Sequence, residues 1–308
     1  MTTSASRENL PLNNSERQKL PAWFRINLGL HGQYRKVHQQ VVERKLHTVC
    51  QSARCPNRNE CWNAGTATFM ILGDLCTRNC RFCGVRKGIP GKPDPSEPNR
   101  VAEAVAALSL KYVVITSVTR DDLEDGGAGI FAATIREIRR RSPFCRIEVL
   151  IPDFGGSERA LDTVIDACPD VLGHNVETVP SLYLTVRPQA EYVRSLKLLE
   201  RVRKKGTVTK SGIMVGLGER REEISGLFRD LKIAGCEILT IGQYLQPGRS
   251  YLPVQKLYHP EEFAALKQEA EALGFLSIAA GPLVRSSYNA GIHHAAAKPV
   301  LTGSGKVR

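Results

Sequence analysis

The sequence predicts an α/β fold in which parallel strands curl into a partial (β/α)6 TIM-like barrel. Short runs rich in β-branched residues alternate with amphipathic helical stretches, which is the pattern of a parallel sheet with helical crossovers. Six such units follow one another along the chain. They occupy about 210 residues (66–274), whereas a closed eight-unit barrel needs about 250. An open barrel therefore fits best, and a doubly wound open sheet is the alternative.

The individual elements follow from side-chain spacing. The predicted strands are 67–72, 112–117, 146–151, 171–176, 211–216 and 238–242. The helices between them carry apolar stripes such as Phe131, Ile135, Ile138 and Val193, Leu196, Leu199, Val202. Functional groups of such barrels gather in the loops that leave the carboxyl ends of the strands. We therefore expect the functional residues of this protein in these loops.

Segments on both sides of the barrel complete the expected organisation. Residues 1–62 are predicted to form an N-terminal extension, residues 63–282 the barrel, and residues 283–308 a C-terminal tail. In the extension, the spacing of Val37, Val41, Val42 and Leu46 predicts one helix.

Composition restricts the class of protein. The 308 residues are 42% hydrophobic, but no uncharged apolar run approaches the ~20 residues that a membrane helix needs. The N-terminus lacks an apolar signal core, so we expect a cytoplasmic protein that does not bind membranes. The net charge of +12 indicates an acidic partner or nucleic acid. Because the basic residues are dispersed and aromatic residues make up only 6%, an acidic protein is preferred and nucleic acid is not expected.

Cysteine usage indicates metal chemistry. The nine cysteines are an odd number, and six of them fall into two tight triplets. The other three, Cys145, Cys168 and Cys236, stand beside apolar segments and are interpreted as buried thiols.

The first triplet, Cys76, Cys80 and Cys83, has the spacing C-x3-C-x2-C directly after the first predicted strand. Three thiolates suit a zinc site with a distant fourth ligand, or a four-iron, four-sulfur (4Fe–4S) cluster with one open iron. Arg78 and Arg81 lie between the ligands, and their charges are expected to lower the thiol pKa values.

The second triplet, Cys50, Cys55 and Cys61, has the spacing C-x4-C-x5-C. Taken alone it is ambiguous, because His47 or His31 could complete a zinc site. Its position only 15 residues before the first triplet raises the prospect of a two-cluster enzyme.

The C-x3-C-x2-C motif, with an aromatic residue before its last cysteine, resembles the radical S-adenosylmethionine (SAM) superfamily. Within it, the segment GTATFMILGDLCTRNCRFCGV is similar to the lipoyl synthase family. The resemblance implies two 4Fe–4S clusters. One is held by Cys76, Cys80 and Cys83 and binds SAM at its open iron. The other, an auxiliary cluster, is held by Cys50, Cys55, Cys61 and the serine before tyrosine in RSSY, Ser287, which requires the tail to close over the barrel.

Residues that hold SAM are expected in the strand-end loops. The candidates are Ser117, Arg120, Asn175, Glu177, Arg187 and Glu219. Among them, Glu177 is expected to bind the ribose hydroxyls. The pair His293 and His294 is interpreted as a surface feature.

The resemblance also implies a reaction and partners. A radical derived from SAM would remove hydrogen from carbons 6 and 8 of an octanoyl chain on a lysine of a lipoyl carrier domain, and the auxiliary cluster would supply two sulfur atoms. Expected carriers are the 2-oxoacid dehydrogenase E2 subunit and the glycine cleavage H protein. An electron donor such as flavodoxin or ferredoxin and an iron–sulfur carrier are further expected partners. The alternatives left open are a two-cluster radical enzyme with another substrate and a basic zinc-binding nucleic-acid module.

Overall fold

The computed structural model describes residues 20–25 and 32–297, and in these residues one eight-stranded sheet forms the centre of the molecule. The order of its strands is β1-β2-β5-β6-β7-β8-β9-β10. Strands β2 to β10 are parallel to their neighbours, and only β1 at one edge is antiparallel. A small second sheet pairs β3 with β4. The strands are β1 His47–Thr48, β2 Thr68–Ile71, β3 Leu75–Cys76, β4 Arg86–Lys87, β5 Tyr112–Ser117, β6 Arg146–Leu150, β7 Val171–Gly173, β8 Val208–Val215, β9 Ile238–Gln243 and β10 Ser277–Gly281.

Helices follow the strands in alternation and cover the outside of the sheet. They are α1 Gly32–Glu43, α2 Val49–Ser52, α3 Arg58–Asn63, α4 Glu97–Ala107, α5 Ala128–Arg141, α6 Glu158–Ile165, α7 Tyr183–Val186, α8 Tyr192–Lys204, α9 Arg221–Ile233, α10 Pro260–Ala272 and α11 Ala290–Ala297. No described helix is long and apolar enough to cross a membrane.

The open (β/α)6 barrel is confirmed. The six units are β2-α4, β5-α5, β6-α6, β7-α8, β8-α9 and β9-α10, and the sheet does not close on itself. One parallel strand, β10, was not predicted. Its residues SIAAG have low β propensity, and the strand forms because Ser277–Gly281 pair in register with Ile238–Gly242 of β9.

The core lies between the sheet and the helices. All three residues of the α5 stripe are buried, as the spacing predicted. The α8 stripe is partly wrong, because Val193 is 60% exposed and Leu198 is buried in its place. Val42 of α1 is likewise exposed, although Val37 and Val41 are buried. At the ends of a stripe, the direction of packing rather than the spacing decides which side chain is covered.

The N-terminal extension shares the hydrophobic core of the barrel. Val37, Val41 and Trp62 belong to the same buried cluster as the strand residues Phe69 and Ile115. One continuous core thus spans residue 62. The division of the chain into an extension and a barrel at that residue stays a prediction from the sequence.

The three isolated cysteines differ in exposure. Cys145 and Cys236 are buried as expected, but Cys168 is exposed, so its interpretation as a buried thiol is wrong. Cys168 has a left-handed backbone conformation (φ 58°) in the turn after α6, which directs it out of the core. The interpretation of His293 and His294 as a surface feature is wrong for His294, which is buried. The centroid of its ring lies 5.7 Å from that of Tyr112.

Candidate functional site

One cavity of about 770 Å³ opens at the carboxyl ends of the parallel strands. Its lining includes all six triplet cysteines, Cys50, Cys55, Cys61, Cys76, Cys80 and Cys83, together with Ser287 of the C-terminal tail. The structure therefore brings together two groups that the sequence separates by more than 200 residues, the second triplet and Ser287.

The first triplet lies in the loop after β2. Cys76 ends β3, and its sulfur accepts a hydrogen bond of 3.4 Å from the Thr119 backbone N–H. The loop is fixed by backbone hydrogen bonds from Thr77 N to Thr119 O (3.1 Å) and from Arg81 N to Val186 O (2.8 Å). The segments that follow β5 and β7 thus hold this loop in one conformation.

The second triplet lies on two short helices of the extension. Cys50 is in α2, Cys55 is in the turn that follows, and Cys61 is in α3. Thr48 caps α2 by accepting a hydrogen bond from Gln51 N (3.3 Å). These tight turns direct all three thiols toward the cavity, which is lined by each of them.

Burial raises the pKa of four of the six triplet thiols, Cys55, Cys61, Cys80 and Cys83, so these four carry protons when no metal is bound. Burial raises the pKa of Cys61 to about 12 and that of Cys83 to about 12. Arg78 acts in the expected direction on Cys80, whose pKa its charge lowers, but burial outweighs this effect and leaves the pKa of that thiol raised. Arg78 donates to Asp121 (2.8 Å) and to the buried Asp153 (2.5 Å), so most of its charge is already balanced. Binding of a metal centre to these thiols must release protons.

Three of the predicted SAM contacts carry buried polar atoms without a hydrogen-bond partner. These atoms are Ser117 Oγ, Asn175 Oδ1 and Arg187 Nε, and all three residues line the cavity. Buried polar atoms are normally paired, so unpaired ones on residues that line a cavity indicate a polar ligand. The Arg187 Nη1 group is already used, because it donates to Asn175 O (2.8 Å) and Val176 O (3.1 Å).

Glu177 also lines the cavity, with a left-handed φ of 66°. Burial raises the pKa of its carboxyl group, while Arg187 and the hydrogen bond from Asn175 Nδ2 (3.2 Å) act in the opposite direction. This strained position directs a carboxylate acceptor into the site.

Two of the six candidates, Arg120 and Glu219, do not line this cavity, whereas the other four do. The Arg120 guanidinium group donates twice to Asp122 (2.8 and 2.7 Å) and once to Gly91 O (2.8 Å). The Glu219 carboxylate accepts hydrogen bonds from Gly216 N (2.6 Å) and Leu217 N (2.9 Å). Both side chains stabilise loops, a use that sequence position does not distinguish from ligand binding.

Two residues near the second triplet were missed. Asn57 and Arg285 line the cavity, and the Arg285 guanidinium group is buried beside Cys55. The CPN segment was the only signal for Asn57. Of the suggested zinc ligands, His47 lines a separate cavity, and His31 lies outside the described residues.

The donors fit the expected groups by their chemistry. Two sets of three thiols, one with a hydroxyl group nearby, are ligands suited to iron–sulfur clusters. Among the residues that the structure describes, no three His, Cys, Asp or Glu side chains converge closely enough for a single metal ion. The unpaired atoms of Ser117, Asn175 and Arg187 fit the polar groups of a bound nucleoside.

Comparison with known proteins identifies the class. Residues 70–231 match the radical SAM superfamily. The fold is similar to that of methylornithine synthase (PylB), with a TM-score of 0.54 and 12% identity over 81% of this chain and 72% of that one. It is also similar to Streptococcus suis SuiB bound to S-adenosylmethionine, with a TM-score of 0.53 and 10% identity over 70% of this chain and 51% of that one. This chain, with its open parallel barrel and the C-x3-C-x2-C loop at the mouth, is thus a radical SAM protein.

The family follows from closer relatives. Residues 1–55 match the N-terminal domain of lipoyl synthase. The lipoyl synthase of Pelodictyon phaeoclathratiforme is 53% identical over 88% of this chain and 93% of that protein. That of Symbiobacterium thermophilum is 54% identical over 93% and 90%, and that of Methylococcus capsulatus 55% over 88% and 85%. The chain belongs to the lipoyl synthase family, which decides against a zinc-binding nucleic-acid module and against a radical enzyme with another substrate.

Proposed function

We infer that this protein inserts two sulfur atoms, at carbons 6 and 8, into an octanoyl chain attached to a lysine of a lipoyl carrier domain. The observation that supports this most directly is the single cavity shared by both thiol triplets and Ser287. Insertion of sulfur requires the carbon to be activated and the sulfur donor to be within reach of it. A shared cavity meets both requirements.

The two thiol triplets have different proposed roles in the site. Cys76, Cys80 and Cys83 would hold one 4Fe–4S cluster, and Cys50, Cys55, Cys61 and Ser287 the other. When bound, the first cluster supplies the electron that cleaves SAM, and the second supplies the inserted sulfur. A hydroxyl group binds iron more weakly than a thiolate does, so Ser287 suits a cluster that gives up its atoms.

The remaining lining residues would orient SAM and the acyl chain. Ser117, Asn175 and Arg187 offer unpaired polar atoms, and Glu177 offers a carboxylate for the ribose hydroxyls. Apolar side chains such as Met70, Val114 and Met214 form the inner wall. They would hold a hydrocarbon chain and exclude water from the activated carbon.

A lipoyl carrier is the expected macromolecular substrate. As its specific carriers we propose the 2-oxoacid dehydrogenase E2 subunit and the glycine cleavage H protein. A flavodoxin or ferredoxin as electron donor and an iron–sulfur carrier are proposed as further partners. The net charge of +12, and the exposed Arg54 and Lys87 at the rim of the cavity, favour acidic proteins.

The experiment compares two cysteine variants on an octanoyl-lysine substrate. We expect Cys76→Ala to abolish SAM cleavage. Cys50→Ala should still produce deoxyadenosine but insert no sulfur. Deoxyadenosine is measured by chromatography and the product by mass spectrometry, with Cys236→Ala, a buried thiol remote from the cavity, as the control. Complete lipoyl product from Cys50→Ala would contradict the role given to the second triplet.

A further inference from the structure

The C-terminal segment that carries Ser287 crosses the mouth of the barrel in close contact with β9. We call residues 282–289 the strap. Its path is fixed at one point by Gly242, because a Cβ atom on that residue would lie 2.2 Å from Val284 O. The strap therefore lies directly on the end of β9, where only glycine leaves room for it.

Two hydrogen bonds join the strap to the second triplet, one on each side of Ser287. Asn57 Nδ2 donates to Leu283 O at 2.6 Å. Tyr288 donates through its hydroxyl group to Glu60 Oε1 at 2.9 Å. In the sequence, Asn57 lies between Cys55 and Cys61, and Glu60 directly precedes Cys61. The same short segment thus supplies thiols to the site and holds the chain that brings the hydroxyl group.

The two bonds differ in strength because they differ in burial. Asn57 is 2% exposed, so water cannot easily replace the strap as the acceptor for Nδ2. The Tyr288–Glu60 bond is exposed, and water competes for both groups. Of these two hydrogen bonds, the one from Asn57 therefore contributes more to the stability of the strap.

We propose that Asn57 and Glu60 form a clasp that positions Ser287 against the thiols of the second triplet. Both are positioning residues, since they act through the strap rather than on a reacting atom. The inference rests on the proposed function for the role of Ser287, whereas the clasp itself is a property of the chain. It predicts that loss of either bond loosens the strap and leaves the first triplet unchanged.

The test measures hydrogen–deuterium exchange in the full-length chain, both metal-free and after reconstitution with iron and sulfide. Exchange at two strap amides measures how often the strap opens. Val284 N donates to Gly281 O (3.1 Å), and Tyr288 N donates to Arg285 O (2.9 Å). We expect Asn57→Ala to accelerate their exchange about tenfold and Glu60→Ala about two- to threefold. Glu60→Gln retains an acceptor oxygen for Tyr288 and should restore the wild-type rate.

The control is Asn99→Ala on α4, which removes an amide that donates to Glu103 (3.0 Å) far from the cavity. In the reconstituted protein, a chelator should remove iron from the second triplet about tenfold faster in Asn57→Ala, with the first triplet unaffected. Strap exchange in Asn57→Ala equal to that in Asn99→Ala would overturn the clasp. A chain that binds no iron at the second triplet, while strap exchange changes as expected, would count against the proposed function and not against the clasp.

Discussion

Arg78 shows how a residue between two thiols can serve the fold instead of the chemistry. Its guanidinium group is buried and donates to Asp121 on one side and to Asp153 on the other. The Arg78–Asp153 bond links the loop after β2 to the loop after β6, and Asp153 is itself held by a bond of 3.1 Å from Gly155 N. The ion pairs hold the first triplet in place, and burial keeps the pKa values of Cys80 and Cys83 raised.

Asp153→Asn is expected to lower the free energy of unfolding by about 3 kcal/mol, because it leaves part of a buried cation unpaired. Asp121→Asn is the matched control. Its side chain is 40% exposed and contacts the same arginine, so the change should be less than about 1 kcal/mol. Urea unfolding of the metal-free chain measures both. Equal effects of the two variants would contradict the importance of burial.

The same pair has a pH dependence with a defined sign. Burial alone would raise the pKa of Asp153, but the hydrogen bonds and charge of Arg78 outweigh it and lower the pKa to about 2. A lowered pKa stabilises the protein above the ordinary value near 3.8, and this stabilisation is lost as the pH falls toward 2. The difference in stability between wild type and Asp153→Asn should therefore shrink below about pH 4.

At the scale of single elements, β9 and β10 support the strap. Gly242 of β9 and Gly281 of β10 are register partners, yet they differ in the space that a side chain would find. A Cβ atom on Gly242 would collide with Val284 O at 2.2 Å, whereas one on Gly281 would meet a Val284 methyl group at an ordinary 3.4 Å. This difference provides a matched pair of substitutions.

Gly242→Ala should displace the strap and destabilise the chain by about 1–3 kcal/mol, the usual cost of overpacking. Gly281→Ala should change stability by much less. Thermal unfolding gives the stability, and exchange at the Tyr288 amide reports the strap. A Gly242→Ala chain with wild-type stability and exchange would show that the strap does not depend on the end of β9.

At the scale of the whole molecule, the charge of +12 should speed up association with an acidic carrier domain. The double variant Arg54→Glu, Lys87→Glu reverses charge at the rim of the cavity and should slow association about tenfold at low salt. The control Lys197→Glu, on the outer face of α8, should have a smaller effect. Stopped-flow measurements at two ionic strengths check this. Equal rates for the rim and control variants would exclude electrostatic steering at the mouth.

The sequence by itself determined the alternation of six βα units, because hydrophobic periodicity is a local property. It also gave the two thiol triplets, since their spacing along the chain is short. Position in a strand-end loop predicted six candidate SAM contacts. Ser117, Asn175, Glu177 and Arg187 line the cavity, whereas the side chains of Arg120 and Glu219 form hydrogen bonds that stabilise loops.

Only the tertiary structure decided how distant segments meet. It placed Ser287 with thiols more than 200 residues away, formed β10 from a segment of weak propensity, and exposed Cys168 while burying His294. The physical reason is that these outcomes depend on contacts between residues far apart in the chain. Local spacing states which groups are present, and packing decides which of them find hydrogen-bond partners and which remain to bind a ligand.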